Sequence, residues 1–184
     1  MALTRLGPNQ SINLASNVTG TLPVANGGTA LTSGFINGVA NAGRIGQVVQ
    51  ALDSTVQSYT SNTLTQASPT ASITPTATSS KVLAIFNAPL LMSNTATSYA
   101  EARMYRDTTE LRLFHDMMIH IAGSPLYTAT QTLHFEYLDS PNTTSSITYS
   151  MKVAEHGSST FYFNNSSGSG GTGTSSMTLM EILA

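Results

Sequence analysis

The sequence predicts an all-β protein: an antiparallel, jelly-roll-like β-sandwich that follows an extended, irregular N-terminal arm. From residue 45 onward, short runs rich in apolar, β-branched and aromatic residues recur roughly every ten residues between turn-forming segments. Two of these runs alternate apolar and polar residues, which is the period of a half-buried antiparallel strand. No stretch shows the sustained spacing of an amphipathic helix. About eight to ten such strands are typical of a sandwich or barrel.

Residues 1–44 are the predicted arm and residues 45–184 the predicted head. The arm is rich in Gly, Asn, Ala and Thr, has no Tyr, and contains Phe35 as its single Phe. It holds too few large apolar residues to form a core of its own. We therefore expect it to become ordered only against other copies of the chain or a partner surface. The alternative is a flexible tether, which its glycines also allow.

The first half of the head contains five predicted strands, at residues 45–52, 56–61, 64–73, 81–92 and 99–106. Pro69 is expected at an edge, bulge or turn, because proline cannot donate a ladder hydrogen bond. For the same reason Pro89 predicts a break or bulge in the fourth strand. Residues 107–110 indicate a hairpin connection, and residues 111–114 its return strand.

The second half of the head contains the two alternating runs. Their apolar positions are Leu133, Phe135 and Tyr137 in the first and Ile147, Tyr149, Met151 and Val153 in the second. A strong turn is predicted at 139–142, and residues 117–122 form a strand or a covered loop. A short strand at 160–163, a flexible Ser/Gly/Thr loop at 166–176 and an apolar strand at 177–183 complete the chain. The last strand is expected to hold the C-terminus in a sheet.

Charged residues make up only 9% of the chain, against about a quarter in typical proteins. Ser and Thr together supply more than a quarter of all residues, and apolar residues supply 40%. The chain can therefore bury a core, and its surface is expected to carry hydroxyls and amides in place of charges. Such surfaces suit large subunit interfaces, where charges are costly to desolvate.

Composition also excludes several function classes. A net charge of −2 provides no basic surface for nucleic acid or for anionic membranes. No run approaches the roughly 20 apolar residues that a membrane span needs. Residues 1–10 lack the apolar core of a signal peptide, so we expect synthesis in the cytoplasm. Because the chain has no Cys, disulfides and Cys-ligated metals are excluded.

Residues 19–29, with the sequence TGTLPVANGGT, resemble a recurring element of phage tail fibre proteins. In that element Leu-Pro is followed by Gly-Gly-Thr-Gly, and Ala30 replaces the last Gly here. Glycines let three chains approach closely, and proline stiffens an extended backbone. The residues that we expect to serve in assembly through the arm are Leu22, Pro23, Gly27, Gly28 and Thr29.

The head resembles a family of small marine-phage proteins regarded as tail fibre or virion appendage proteins. The resemblance rests on the order and spacing of segments at 73–83, 103–107, 138–149 and 176–182, and it implies a location in the virion. We expect a homotrimer whose arm contacts other virion proteins and whose head adsorbs to a host cell-surface glycan or protein. The alternatives are a capsid decoration (head fibre) protein and, from another class, a polysaccharide depolymerase.

No cofactor, metal site or catalytic residue is predicted, and we expect the protein not to be an enzyme. His115 and His120 are five residues apart and would fall on opposite faces of a strand. His156 and Glu155 lie near serines, but no nucleophile-elbow motif accompanies them. The carboxylates are scattered along the chain, which is unlike the pair that a glycosidase needs.

One hairpin holds three of the chain's seven Lys and Arg residues together with three carboxylates. Its charged residues are Glu101, Arg103, Arg106, Asp107, Glu110 and Arg112. They predict either a local set of cross-strand ion pairs, worth little per pair, or a belt of intersubunit salt bridges that fixes trimer register.

The loop at 164–176 is the candidate receptor-contact surface, because Gly/Ser/Asn loops beside aromatic residues suit glycan or protein recognition. The candidate contacts are Phe161, Tyr162, Asn164 and Asn165. The alternative is an ordinary surface loop.

Overall fold

A computed structural model describes residues 43–94, 99–115, 127–157, 160–165 and 173–184. Within these ranges the chain forms ten strands and no helix, which confirms the predicted all-β class. No helix in the described part of the chain could cross a membrane. The predicted arm residues Leu22 to Thr29 and the segment 117–122 lie outside the described residues. The strands are β1 Ile45–Asp53, β2 Gln57–Tyr59, β3 Thr65–Ile73, β4 Lys81–Asn94, β5 Tyr99–Arg106, β6 Thr109–His115, β7 Tyr127–Asp139, β8 Ile147–His156, β9 Thr160–Phe163 and β10 Ser175–Ile182.

The strands form two antiparallel sheets that pack as a sandwich. In the first sheet, β4 pairs with β7 on one side and with β10 and then β9 on the other. Strand β1 extends this sheet beyond β10, and β2 extends it beyond β9. The second sheet has the order β3-β8-β5-β6. Without the short β2 and β9, the orders β1-β10-β4-β7 and β3-β8-β5-β6 are those of an eight-stranded jelly roll, as predicted.

The core lies between the inward faces of the sheets, and both alternating runs take the predicted orientation. In β8 the alternating residues Ile147 to Val153 are buried. In β7, Leu133 is buried, while Phe135 and Tyr137 are half-buried and pack against the core. Strand β10 holds the C-terminus between β1 and β4, again as predicted.

The predicted break at Pro89 is wrong. Strand β4 pairs in continuous register with β7 from Val82 to Asn94, and Pro89 lies opposite Thr132. The other edge of β4 changes partner from β10 to β9 around this position. The Pro89 carbonyl accepts a hydrogen bond from the Asn164 amide on that edge, at 3.0 Å. The nitrogen and the carbonyl of a strand residue face the same edge of the strand. The N–H that Pro89 lacks would therefore point to the junction between β10 and β9.

Gly173 packs against the same proline. A Cβ atom on Gly173 would lie 2.3 Å from Cγ of Pro89, so only glycine fits without displacement there. The Gly173 amide also donates to the Asn164 carbonyl at 2.8 Å. Glycine at position 173 therefore lets the backbone pack directly on β4.

Pro69 occupies the place that the sequence predicts. Strand β3 is an edge strand, and its register against β8 shifts between Ala67 and Ala71. The neighbouring Ser68 amide donates to Oε1 of Gln57 at 2.8 Å, and the Ser68 carbonyl accepts from Oγ of Ser175 at 3.0 Å. The polar groups freed by the bulge are therefore bonded to side chains of β2 and β10.

Buried polar groups also join the sheets. Asp139, at the end of β7, accepts from Arg106 at 2.6 Å and from the Tyr149 hydroxyl at 2.7 Å, and both partners lie in the second sheet. Burial, together with the nearby Asp139 carboxylate, raises the pKa of Tyr149. The Tyr149 hydroxyl therefore keeps its proton over the neutral range and continues to donate to Asp139.

Glu181 of β10 is fully buried and accepts a second set of buried hydrogen bonds. Its carboxylate accepts from the amide and the hydroxyl of Thr76, each at 2.7 Å, and from Gln47 at 2.8 Å. Burial alone would raise the pKa of Glu181, but these hydrogen bonds outweigh it and lower the pKa to about 2. The ionised carboxylate therefore holds the loop after β3 against β10.

We expect Glu181→Gln to lower the free energy of unfolding at pH 7 by about 1–3 kcal/mol, because the amide cannot accept all three bonds as a carboxylate does. The folded-state pKa is depressed, so the wild-type advantage is present above pH 4.5 and is lost as pH falls toward 2. Urea denaturation at pH 7 and at acid pH measures both effects. Gln66→Glu, the opposite exchange at an exposed position of β3, is the matched control and should change little. An unchanged difference between wild type and Glu181→Gln at low pH would contradict this account.

Candidate functional site

A polar cavity of about 700 Å³ opens at one end of the second sheet. Tyr99 begins β5, and the residues of the other wall come from the end of β8 and from the β2–β3 loop. Within the described residues the cavity is lined by Thr60, Ser61, Asn62, Tyr99, Glu155, His156 and Gly157. The backbone amide of Glu155 donates to the carbonyl of Ser61 at 2.8 Å, which fixes the loop against β8.

An aromatic pair forms part of the wall of the polar cavity. Tyr99 and His156 are cross-strand partners, and their rings stack 4.8 Å apart with an interplanar angle of 10°. Tyr99 is still 37% exposed although His156 covers part of it. The wall therefore presents a partly open aromatic ring beside hydroxyl and amide groups.

A chain of charged side chains fixes the orientation of His156. Nε2 of His156 lies 2.9 Å from Oε2 of Glu101, and the other oxygen of Glu101 bonds Nε of Arg103. Arg103 also donates from Nη1 to Glu110 at 2.8 Å. The hydrogen bonds with Glu110 and Glu101 raise the pKa of Arg103, and the bond from Arg103 lowers the pKa of Glu110.

The predicted ion-pair residues of the hairpin have partners in the same chain. Besides the Arg103 set, Arg106 bonds Asp139, and Oδ1 of Asp107 accepts from the Thr148 amide at 2.9 Å. The guanidinium of Arg112 lies 5.3 Å from the centre of the Phe114 ring. The local interpretation of these charges therefore describes the contacts that are present, and the intersubunit belt stays a prediction.

A second feature is an apolar surface on the outward face of the first sheet. The ladder registers place Val48 opposite Met180, Met180 opposite Leu83, and Leu83 opposite Leu138. Side chains that face each other in a ladder point to the same side. Val48 is 55% exposed and Leu138 49% exposed at the two ends of this row, which crosses four strands.

A bulge near the start of β1 extends this surface. The register shifts so that Gly46 and Gln47 together oppose Glu181, which leaves Ile45 paired with Ile182 on the outward side. Ile85 lies next to Leu83 on the same face of β4. We call this set the outer apolar face; its members are Ile45, Val48, Leu83, Ile85, Leu138, Met180 and Ile182.

The structure corrects two of the four predicted receptor contacts. Phe161 is fully buried and stacks on Tyr59, with ring centres 4.9 Å apart. Asn164 is also buried, and its amide donates to the Thr55 carbonyl and to Oγ of Ser175. Both hold strands together, so neither can reach a receptor. Tyr162 and Asn165 are half-buried, and their contact role stays a prediction.

The other chemical candidates are not brought together as a reactive site among the described residues. His120 and Asp116 lie outside the described ranges. In the part of the chain that the structure describes, no group of three His, Asp or Glu side chains could hold a metal. Glu101 and Glu110 both form ion pairs with Arg103, and Asp139 forms an ion pair with Arg106 between the two sheets.

Sequence reasoning missed the polar cavity and the outer apolar face. Tyr99 and His156 are 57 positions apart in the chain, and only the β5–β8 register brings their rings together. A signal for the outer apolar face was present: residues 82–86 of β4, with the sequence VLAIF, are apolar on both faces. That pattern is typical of a strand covered on both sides.

No protein-family model and no curated protein matches the sequence. Among solved structures, the chain is similar to the VP2 protein of infectious bursal disease virus. With VP2 in a subviral particle it shares 12% identity over 78% of this chain and 38% of that chain, at a TM-score of 0.43. With the protein of infectious bursal virus derived T=1 particles it shares 12% identity over 84% of this chain and 40% of that chain, at a TM-score of 0.43. The chain spans about two fifths of the length of these VP2 chains.

We expect Arg103→Gln to lower the free energy of unfolding by about 1–2 kcal/mol, because Glu101 and Glu110 both lose a charged donor. Arg112→Gln is the matched control in the same hairpin and should cost less than about 0.5 kcal/mol. Urea denaturation of both variants measures the difference. Equally small effects of the two substitutions would show that the hairpin charges are not held by in-chain pairs.

Proposed function

We propose that the protein is a non-enzymatic structural component of a phage particle, a homotrimeric tail fibre or appendage that adsorbs to the host surface. The resemblance of residues 19–29 and of the head segments to phage appendage proteins supports the location. The observation that carries the assembly role is the outer apolar face.

The occupant that we assign to the outer apolar face is the same face of two further copies around a common axis. Residues 1–44 have too few apolar side chains for their own core, so they are expected to associate with the arms of other copies. The arm leads directly into Ile45, which belongs to the outer apolar face. Association of the arms would therefore raise the local concentration of the outer apolar faces.

The composition of the outer apolar face fits such a contact. The residues of this face carry no charge, and the neighbouring Lys81 and Glu136 are exposed and of opposite sign. In a rotational trimer these charges can pair across each interface, which gives register at little desolvation cost. Covering the half-exposed Val48 and Leu138 would contribute about 1 kcal/mol per side chain.

Native mass measurement should give three times the 19.3 kDa chain mass. We expect the double variant Val48→Lys and Leu138→Lys to raise the concentration at which the trimer dissociates by at least about tenfold, because buried lysines at the interface are costly. Thr132→Lys, on the same outward face of β7 but outside the outer apolar face, is the control and should leave the trimer intact. A wild-type chain that is monomeric at all concentrations would contradict the trimer. A double variant with unchanged dissociation would place the contact elsewhere.

Electron microscopy of particles with a labelled antibody against the head separates the two virion locations. We expect label on the tail or on an appendage, since the arm resembles a tail fibre element. Label on the capsid shell would favour the decoration protein, and unlabelled particles would contradict a virion role.

A further inference from the structure

We propose that the polar cavity binds a neutral polyhydroxylated sugar of one or two residues. This inference rests on the adsorption part of the proposed function and gives it a site and a ligand class. The volume of about 700 Å³ lies within the roughly 300–1,000 Å³ that is usual for small-molecule sites.

Tyr99 supplies the apolar contact that a sugar ring needs. One face of a pyranose exposes C–H groups, and these pack on aromatic rings, whose conformational freedom is small. Tyr99 is partly exposed at the cavity wall, and the stacked His156 ring supports it from one side. The aromatic surface is therefore in place before a ligand arrives.

Hydroxyl and amide groups supply the hydrogen bonds. Thr60, Ser61 and Asn62 form a continuous, exposed polar segment of the wall. Hydroxyls both donate and accept hydrogen bonds, and the side-chain amide does both as well. Such a mixture matches a ligand whose polar groups are hydroxyls in several directions.

The charges of the cavity select a neutral ligand. Among the described lining residues there is no Lys or Arg. The nearby Arg103 already bonds both Glu101 and Glu110. An anionic sugar would therefore find no cation among these residues to compensate its charge, which disfavours binding.

The ion-pair chain makes the site rigid. Glu101 fixes the His156 ring by the 2.9 Å contact, and Arg103 in turn holds Glu101. A wall that is ordered before binding loses less entropy when the ligand arrives. The hairpin charges that the sequence suggested for subunit contacts thus position the aromatic wall of the cavity.

Titration of the full-length protein with single sugars tests this directly. The probes are glucose, galactose, mannose, rhamnose, N-acetylglucosamine, lactose and maltose at millimolar concentrations, followed by calorimetry and by amide chemical shifts. We expect at least one probe to bind with shifts at residues 60–62 and 155–157. Tyr99→Ala should weaken its binding at least about tenfold, and Tyr99→Phe should retain it within about threefold, since the ring remains.

Leu113→Ala is the matched control, because Leu113 is about as exposed as Tyr99, lies in the same sheet and is outside the cavity lining. Tyr162→Ala tests the rival receptor contact that the sequence predicts. Thermal unfolding of each variant confirms that it is folded. Binding that is lost in Tyr162→Ala but kept in Tyr99→Ala would overturn the proposed site. Galacturonate that binds more tightly than galactose, with the same dependence on Tyr99, would overturn the neutral class.

If no probe binds in a Tyr99-dependent way, the sugar site is wrong. This result is distinguishable from a failure of the proposed function, because trimer mass and antibody labelling of particles are measured without any sugar. A probe disaccharide that is cleaved during the titration would also overturn the proposal, since the cavity would then be the site of a hydrolase.

Discussion

The 14-residue strand β4 pairs with β7 along its length, and with β10 and then β9 along its other edge. Its inward side chains are buried from Val82 to Met92 and alternate between large and small as far as Leu90, so β4 also supplies a central row of the core. Errors in its register would move both the core residues and the partner strands. Because Pro89 lies at the junction between β10 and β9, β4 keeps a continuous register with β7 although it contains a proline.

Most charged side chains in the described part of the chain contact other groups of the same chain. Asp139 and Glu181 are buried acceptors that join separate elements, and Glu101 is nearly buried between Arg103 and His156. Because these carboxylates are bonded within the fold, they are not available to cover the outside of the first sheet. Its outward surface carries the uncharged outer apolar face, with Lys81 and Glu136 beside it, which is compatible with a subunit contact.

The two candidate surfaces belong to different sheets. The outer apolar face lies on β1, β10, β4 and β7, whereas Tyr99 and His156 of the polar cavity lie on β5 and β8 of the second sheet. Covering the first sheet by other copies therefore leaves the second sheet available to a ligand. A division of this kind fits a protein that assembles through one side and recognises a surface with the other. Glu101 and Arg103 of the hairpin contact the cavity wall through His156.

The sequence by itself determined the strands of the head and their inward faces, because alternation in β7 and β8 has a period that only a half-buried strand satisfies. It also indicated that Pro69 lies at an edge, a bulge or a turn. It could not determine the partners of β4 or the burial of Phe161 and Asn164, which depend on contacts between distant segments. The Tyr99–His156 stack and the outer apolar face were likewise decided by the tertiary structure. Both arise from ladder registers, and register is a relation between strands that no single segment encodes.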